Sequence, residues 1–376
     1  MRYLICCWLF VFCIVAPRAS FAQDTALWAG VGIEANAFVG KVIKHSAKFH
    51  LPVPALSSGA DINFQWKTCG RKTWHQRRRY PTIGIGFTYT NYGIDSIYGR
   101  CFSLYPNIVI PLISGRKWEW TMRLGNGIAF VTQRYSRIPF DTMNNAIGSR
   151  INDYPCFMTD LRYHVNKHWD VQVGGNFSHI SDASYHQPNL GINMYGAHVG
   201  VRYFPVSSTP NCTVRDMKPL SNRWLAQFRL TLAYTGSNAP LGPAYPIYLG
   251  TAYASKRWLS KNKFIGGIDY SYHTNIYAYL HNNQFVPTGT EAANSFKSAV
   301  FVGNEFLLGR LGVSVQVGYY IHQAFQTQGK VYQKLGGNLY LVQKEKGPIK
   351  EFFLCGYLKT HLSVAELAEF GFGMGF

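Results

Sequence analysis

Apolar and polar side chains alternate along most of this chain with a period of two. In Trp118 to Phe130 the even positions read Trp118, Trp120, Met122, Leu124, Asn126, Ile128 and Phe130. The odd positions include Glu119, Thr121, Arg123 and Gly125. Trp224 to Tyr234 repeats the split, with Phe228, Leu230 and Leu232 opposing Gln227, Arg229 and Thr231. Val313 to Ile321 does so again, with Ser314 and Gln316 on its polar side. Successive side chains of a strand point to opposite faces, whereas a helix would repeat about every 3.6 residues. These segments are therefore predicted strands with one apolar and one wet face. Similar segments begin near residues 27, 56, 80, 98, 148, 168, 192, 245, 262, 296, 333, 351 and 366. Asn, Gly, Pro, Lys and Ser cluster between many of them, as turns require.

So many half-apolar strands suit an all-β fold, a transmembrane antiparallel outer-membrane β-barrel. We expect roughly 12 to 16 strands, even in number as in bacterial single-chain barrels. Closure is a physical demand, because an open sheet edge in hydrocarbon leaves backbone groups unpaired at several kcal/mol each. A soluble β-sandwich would alternate too, but would not need so many Trp and Tyr near strand ends. At the C-terminus Phe370, Phe372, Met374 and Phe376 alternate with Gly371, Gly373 and Gly375. This resembles the terminal strand of outer-membrane proteins, and the resemblance implies that Phe376 is read by the barrel assembly machinery.

Composition supports the same class. Only 15% of the 376 residues are charged while 16% are aromatic, and the mean hydropathy is −0.08. Lipid-facing and lumen-facing residues average out in this way. Residues 1–22 read as a secretory signal peptide: Arg2 opens it, Leu4 to Val15 form its apolar stretch, and Ser20-Phe21-Ala22 offers a cleavage site. Residues 23–376 are then expected to form a single barrel. Cys69, Cys101, Cys156, Cys212 and Cys355 remain after the leader, an odd number without metal-ligand spacing. A disulfide between loop cysteines is left open. Without Arg2 and Arg18 the chain carries 35 basic and 18 acidic residues, net +17. At an outer membrane that charge points to the phosphates of lipopolysaccharide. The densest run, Arg71, Lys72, Arg77, Arg78 and Arg79, is either a solvated loop or a lipid-phosphate site.

Candidate chemistry sits in Val171 to Asp182. The outward face there carries Val171, Val173, Gly175, Phe177, His179 and Ser181, so His179 and Ser181 lie one alternation apart on the lipid side. The next strand puts Asn193, Tyr195, Ala197, Val199 and Val201 on its apolar face, and antiparallel pairing brings Asn193 to the same end. Polar side chains on a lipid-facing wall are costly unless they are used. A serine activated by an imidazole, itself oriented by a third group, is the apparatus of ester hydrolysis.

The stretch His179-Ile-Ser181-Asp182-Ala183, with Gln187-Pro188-Asn189-Leu190-Gly191-Ile192-Asn193 after it, resembles the PagL family of lipid A 3-O-deacylases and the related bacterial acyloxyacyl hydrolases. The recognisable region is about residues 80–205. The resemblance implies an outer-membrane serine esterase that removes an acyl chain from lipid A, with His179 as base and Ser181 as nucleophile, and without cofactor or metal. Two positions depart from the family. Asn193 stands where a glutamate would orient the histidine, and Asp182 where an asparagine would stabilise the oxyanion. Asn193 is expected to orient His179, with backbone N–H groups serving the oxyanion; Asp182 replacing the missing carboxylate is a second option. The alternative function is a catalytically degenerate, porin-like or structural barrel. His164 and His168 lie in a predicted turn, which argues against a metal site. Glu119, Arg123 and Arg229 are expected as a salt-bridged interior or a selectivity ring. Nothing indicates a nucleic-acid partner.

Overall fold

The computed structural model describes residues 28–376 apart from 47, 139–140, 207–211, 215, 217–220, 238, 259–260, 326–328 and 363. The predicted signal peptide lies outside the described residues. Among the described residues sixteen antiparallel strands account for nearly all regular structure. The first eight are β1 (Val31–Ile43), β2 (Ser57–Lys67), β3 (Thr82–Asn91), β4 (Arg100–Ser114), β5 (Trp118–Val131), β6 (Ile151–His164), β7 (Trp169–Ile180) and β8 (Ile192–Tyr203). A short helix, α1 (Thr73–Arg77), lies between β2 and β3. The second eight are β9 (Trp224–Gly236), β10 (Ala244–Trp258), β11 (Asn262–His273), β12 (Phe296–Leu308), β13 (Leu311–Gln323), β14 (Val331–Gln343), β15 (Glu351–His361) and β16 (Val364–Gly375). Helix α2 (Thr274–Asn283) follows β11.

The strands close as two barrels and not as the single barrel expected from the pattern. β8 returns to pair with β1, from Ile33↔Tyr203 to Ile43↔Asn193, and β16 returns to β9, from Ala368↔Tyr234 to Gly375↔Gln227. The alternation tells which way each side chain faces, but not on which strand a sheet closes. Every extensive strand-to-strand contact among the described residues lies within one barrel or the other.

An eight-stranded barrel is just wide enough for side chains to fill it, and both lumens are filled with paired charges. In the first, Arg123 bridges Glu34 and Asp61, Arg162 reaches Glu34 at 3.2 Å, and Arg202 holds Asp170 at 2.6 Å. In the second, Lys334 sits between Asp269 (2.8 Å) and Glu369 (2.9 Å), and Lys263 meets Glu351 at 2.6 Å. Glu119, Arg123 and Arg229 are thus members of salt-bridged interiors. The outer walls are the reverse: Ile128, Val199, Leu230 and Phe370 are 58–67% exposed, as a lipid-facing surface requires. Phe376 closes the chain with its N–H on Ala226 O at 2.9 Å.

Connections differ at the two rims. The rim where β1 begins has the short turns 115–117 and 165–168 and one longer segment, 68–81, which carries α1. Every connection of the first barrel at the opposite rim is longer than those turns: 44–56, 92–99, 132–150 and 181–191. Long loops face outward in outer-membrane barrels, so the second rim is the external one. The two barrels stand side by side with like rims together. At the inner rim Arg78 Nε donates to Leu307 O at 3.0 Å and its guanidinium also reaches Lys261 O and Asn262 Oδ1. At the outer rim Gly236 N–H donates to Ser184 O at 2.7 Å.

Candidate active site on the outer wall

β7 and β8 run antiparallel with Phe177 opposite Tyr195 and His179 opposite Asn193. Ser178 and Ile180 are buried, while Phe177 and Tyr195 are exposed on the wall. His179 and Asn193 share the outward parity and are half-buried at the external rim. The imidazole Nδ1–H donates to Asn193 Oδ1 at 2.5 Å, which leaves Nε2 as acceptor for the Ser181 hydroxyl at 2.9 Å. One ring nitrogen is therefore orienting and the other is available as a base.

Ser181 lies one residue beyond β7, but its backbone is fixed. Asp153 N–H on β6 donates to Ser181 O at 2.7 Å, which extends the sheet to this residue. The side chain is nearly covered, at 6% exposure. Gly191 returns the chain to β8 with φ +76, and a Cβ there would lie 2.5 Å from His179 Cε1. Only glycine satisfies both the left-handed backbone and the close approach of the ring. Its N–H donates to Ala146 O at 2.9 Å, and His45 Nε2 bonds Leu190 O at 2.9 Å.

Asp182 turns away from the imidazole. Its Oδ2 accepts from His186 N–H at 3.0 Å, and burial pushes its carboxyl above the usual carboxylate range. The structure thus joins His179, Ser181 and Asn193 in one relay and leaves Asp182 inside its own loop. The Asp182 N–H next to the nucleophile donates to Asn189 Oδ1 at 3.2 Å, so this backbone donor is already engaged. Asn189 Nδ2 is buried and lacks a hydrogen-bond partner among the described residues. Asn189 belongs to the motif, and only this contact across the loop brings its side chain beside Ser181's neighbour.

The other candidates fall elsewhere. Arg71, Lys72 and Arg77–Arg79 lie in and around α1 at the inner rim, at the opposite end from this site, and Arg78 is spent on the second barrel's backbone. His164 bonds Asp170 at 2.7 Å and His168 bonds Phe204 O at 2.8 Å; no metal-holding group of His, Cys, Asp and Glu forms among the described residues. Cationic side chains do gather near the relay. Lys41 on β1 pairs with Tyr195, Ile43 with Asn193, and Lys41 and Lys44 are exposed.

Comparison with known proteins now places both halves. Residues 58–202 match the family model described as lipid A 3-O-deacylase (PagL), a region that begins earlier than the motif suggested. Residues 226–376 match the acyloxyacyl hydrolase C-terminal domain. Among solved structures, Neisserial surface protein A is similar at 16% identity over 47% of this chain and 97% of that one, with a TM-score of 0.32. The outer membrane enzyme PagL is similar at 20% identity over 44% of this chain and 97% of that one, with a TM-score of 0.30. No curated protein sequence matches. By its matching families the chain resembles the PagL lipid A 3-O-deacylases over its first barrel and the C-terminal domain of acyloxyacyl hydrolases over its second.

Proposed function

We propose that this protein is an outer-membrane serine esterase that removes an acyl chain from lipid A. The observation that carries the reading is the relay Ser181 Oγ–His179 Nε2, His179 Nδ1–Asn193 Oδ1, held on the lipid side of the external rim. His179 would accept the Ser181 proton as Oγ attacks the ester carbonyl, then deliver it to the departing alkoxide oxygen. The same imidazole would activate the water that releases the fatty acid. Asn193 keeps the ring in the required tautomer but supplies no charge to steady the imidazolium. We assign oxyanion stabilisation to the Asn189 side-chain amide, whose Nδ2 has no other hydrogen-bond partner among the described residues.

The surroundings support a phosphorylated lipid as substrate. Phe177 and Tyr195 offer an apolar wall below the relay, and Lys41 and Lys44 lie beside it at the head-group level. A second reading, a barrel that has lost catalysis, is favoured by Asn193 in place of a carboxylate. The pore form of that reading is weakened by two lumens filled with ion pairs. Mass spectrometry of lipid A incubated with the refolded protein and with Ser181→Ala tests the proposal. Loss of one acyl chain with the parent alone supports it and names the bond. No loss with either protein, where a control deacylase works, replaces it with the degenerate barrel.

A further inference from the structure

The segment that follows Ser181 is shaped from outside its own barrel. Ala183 and Ser184 take left-handed backbone, with φ 54 and 71, which non-glycine residues hold only where their surroundings impose it. From its own loop the segment receives two bonds to Asp182, from Tyr185 N–H at 3.2 Å and His186 N–H at 3.0 Å. The second barrel supplies three more. Gly236 N–H donates to Ser184 O at 2.7 Å, Ser184 Oγ donates to Ala365 O at 2.7 Å, and Leu241 N–H donates to Gln187 O at 3.0 Å. The Tyr185 ring also meets Tyr234 edge-on at 6.1 Å. The fit at Gly236 is tight, because a Cβ there would lie 2.8 Å from Tyr185 O.

Resting on the esterase reading above, we infer that the second barrel positions the nucleophile of the first, with Ser184 and Gly236 as positioning residues. Ser181 is pinned on one side to β6 through Asp153, and three residues later the chain is pinned to β9 and β16. The direction of Oγ toward His179 is set between these two anchors. Misplacement by about 1 Å can cost on the order of a hundredfold in rate, so a clasp at this distance is felt in the chemistry more than in binding.

The full-length chain, refolded in detergent with lipid A, tests this with Ser184→Ala and Gly236→Ala. Folding is checked for each by heat-modifiable electrophoretic migration. We expect kcat to fall about tenfold or more in both variants with KM within about twofold of the parent. The rate at which a fluorophosphonate labels Ser181 should fall in parallel. Parent-like kcat and labelling in the folded variants would overturn the inference while leaving the esterase intact. Should Gly236→Ala fail to fold, Ser184→Ala decides alone. A parent chain without Ser181-dependent turnover overturns the esterase reading and this inference with it.

Discussion

Each barrel carries a serine and a histidine two residues apart at the end of a strand, and the two pairs face opposite ways. In the first barrel His179 and Ser181 have outward parity at the external rim. In the second, Ser271 and His273 on β11 have inward parity, are 3% and 2% exposed, and bond each other at 3.0 Å inside the lumen. The chemistry of the two pairs is alike; their access to lipid is not. A shift of one residue along a strand exchanges lumen for membrane, so parity separates a site that can meet an acyl ester from a polar contact that fills a core.

The comparison is broken most sharply by paired serine substitutions. Ser181→Ala should lower lipid A deacylation by about 10⁴-fold or more, as loss of a nucleophile does, whereas Ser271→Ala should leave the rate unchanged. Equal losses in a quantitative lipid A assay would mean that lumen-facing residues take part. Within the first barrel, Asn189→Ala should cost about 10²-fold in kcat if its amide serves the oxyanion. Asn193→Ala should cost less, roughly tenfold to a hundredfold, because it orients the imidazole without charging it. Unchanged turnover in either variant removes that residue from the mechanism.

The interiors should behave alike where the outer walls differ. Arg123→Ala and Arg229→Ala each remove one cation from a buried charge network, leaving Asp61 with neutral donors alone in the first and Asp269 and Glu369 sharing Lys334 in the second. Each should destabilise the protein by about 3–5 kcal/mol. Urea unfolding of the two variants would show whether one lumen tolerates the loss that the other does not. The smallest effect concerns Asp182, whose folded-state carboxyl is raised by burial. An acid held above its unfolded value favours the protonated fold, so stability declines as pH rises from about 4 through the folded value and is flat beyond it. Asp182→Asn should therefore gain more Tm over the parent at pH 7 than at pH 4. Equal gains at both would show that this carboxyl does not titrate in the loop.

Much of this was legible in the residue pattern. The alternation located the strands and gave the facing of Arg123, Arg229, Ser314 and Gln316, because facing depends only on local geometry. It also put His179, Ser181 and Asn193 together, since antiparallel pairing of consecutive strands brings the end of one to the start of the next. Barrel closure was not legible, because the decisive pairing joins Ile33 to Tyr203 across the whole first half of the chain. Asp182 escaped for a different reason. Parity loses its hold once a strand has ended, and a hydrogen bond to His186 then decides where the carboxylate points. The contacts of Asn189 and Ser184 are encoded by no periodicity, one running across a loop and one across two barrels.

Eight is an even number, and that arithmetic governs how such a chain can grow. A closed sheet with an even number of antiparallel strands returns its last residue to the side of the membrane from which its first one left. A whole further barrel can then be joined by the segment after Tyr203 without another crossing and without inverting the newcomer. An odd count would have presented the second unit upside down, with its long loops on the wrong side. Because like rims coincide here, the added unit could reach the loop beside Ser181 at all. Strand parity thus sets which surfaces of appended modules are able to meet.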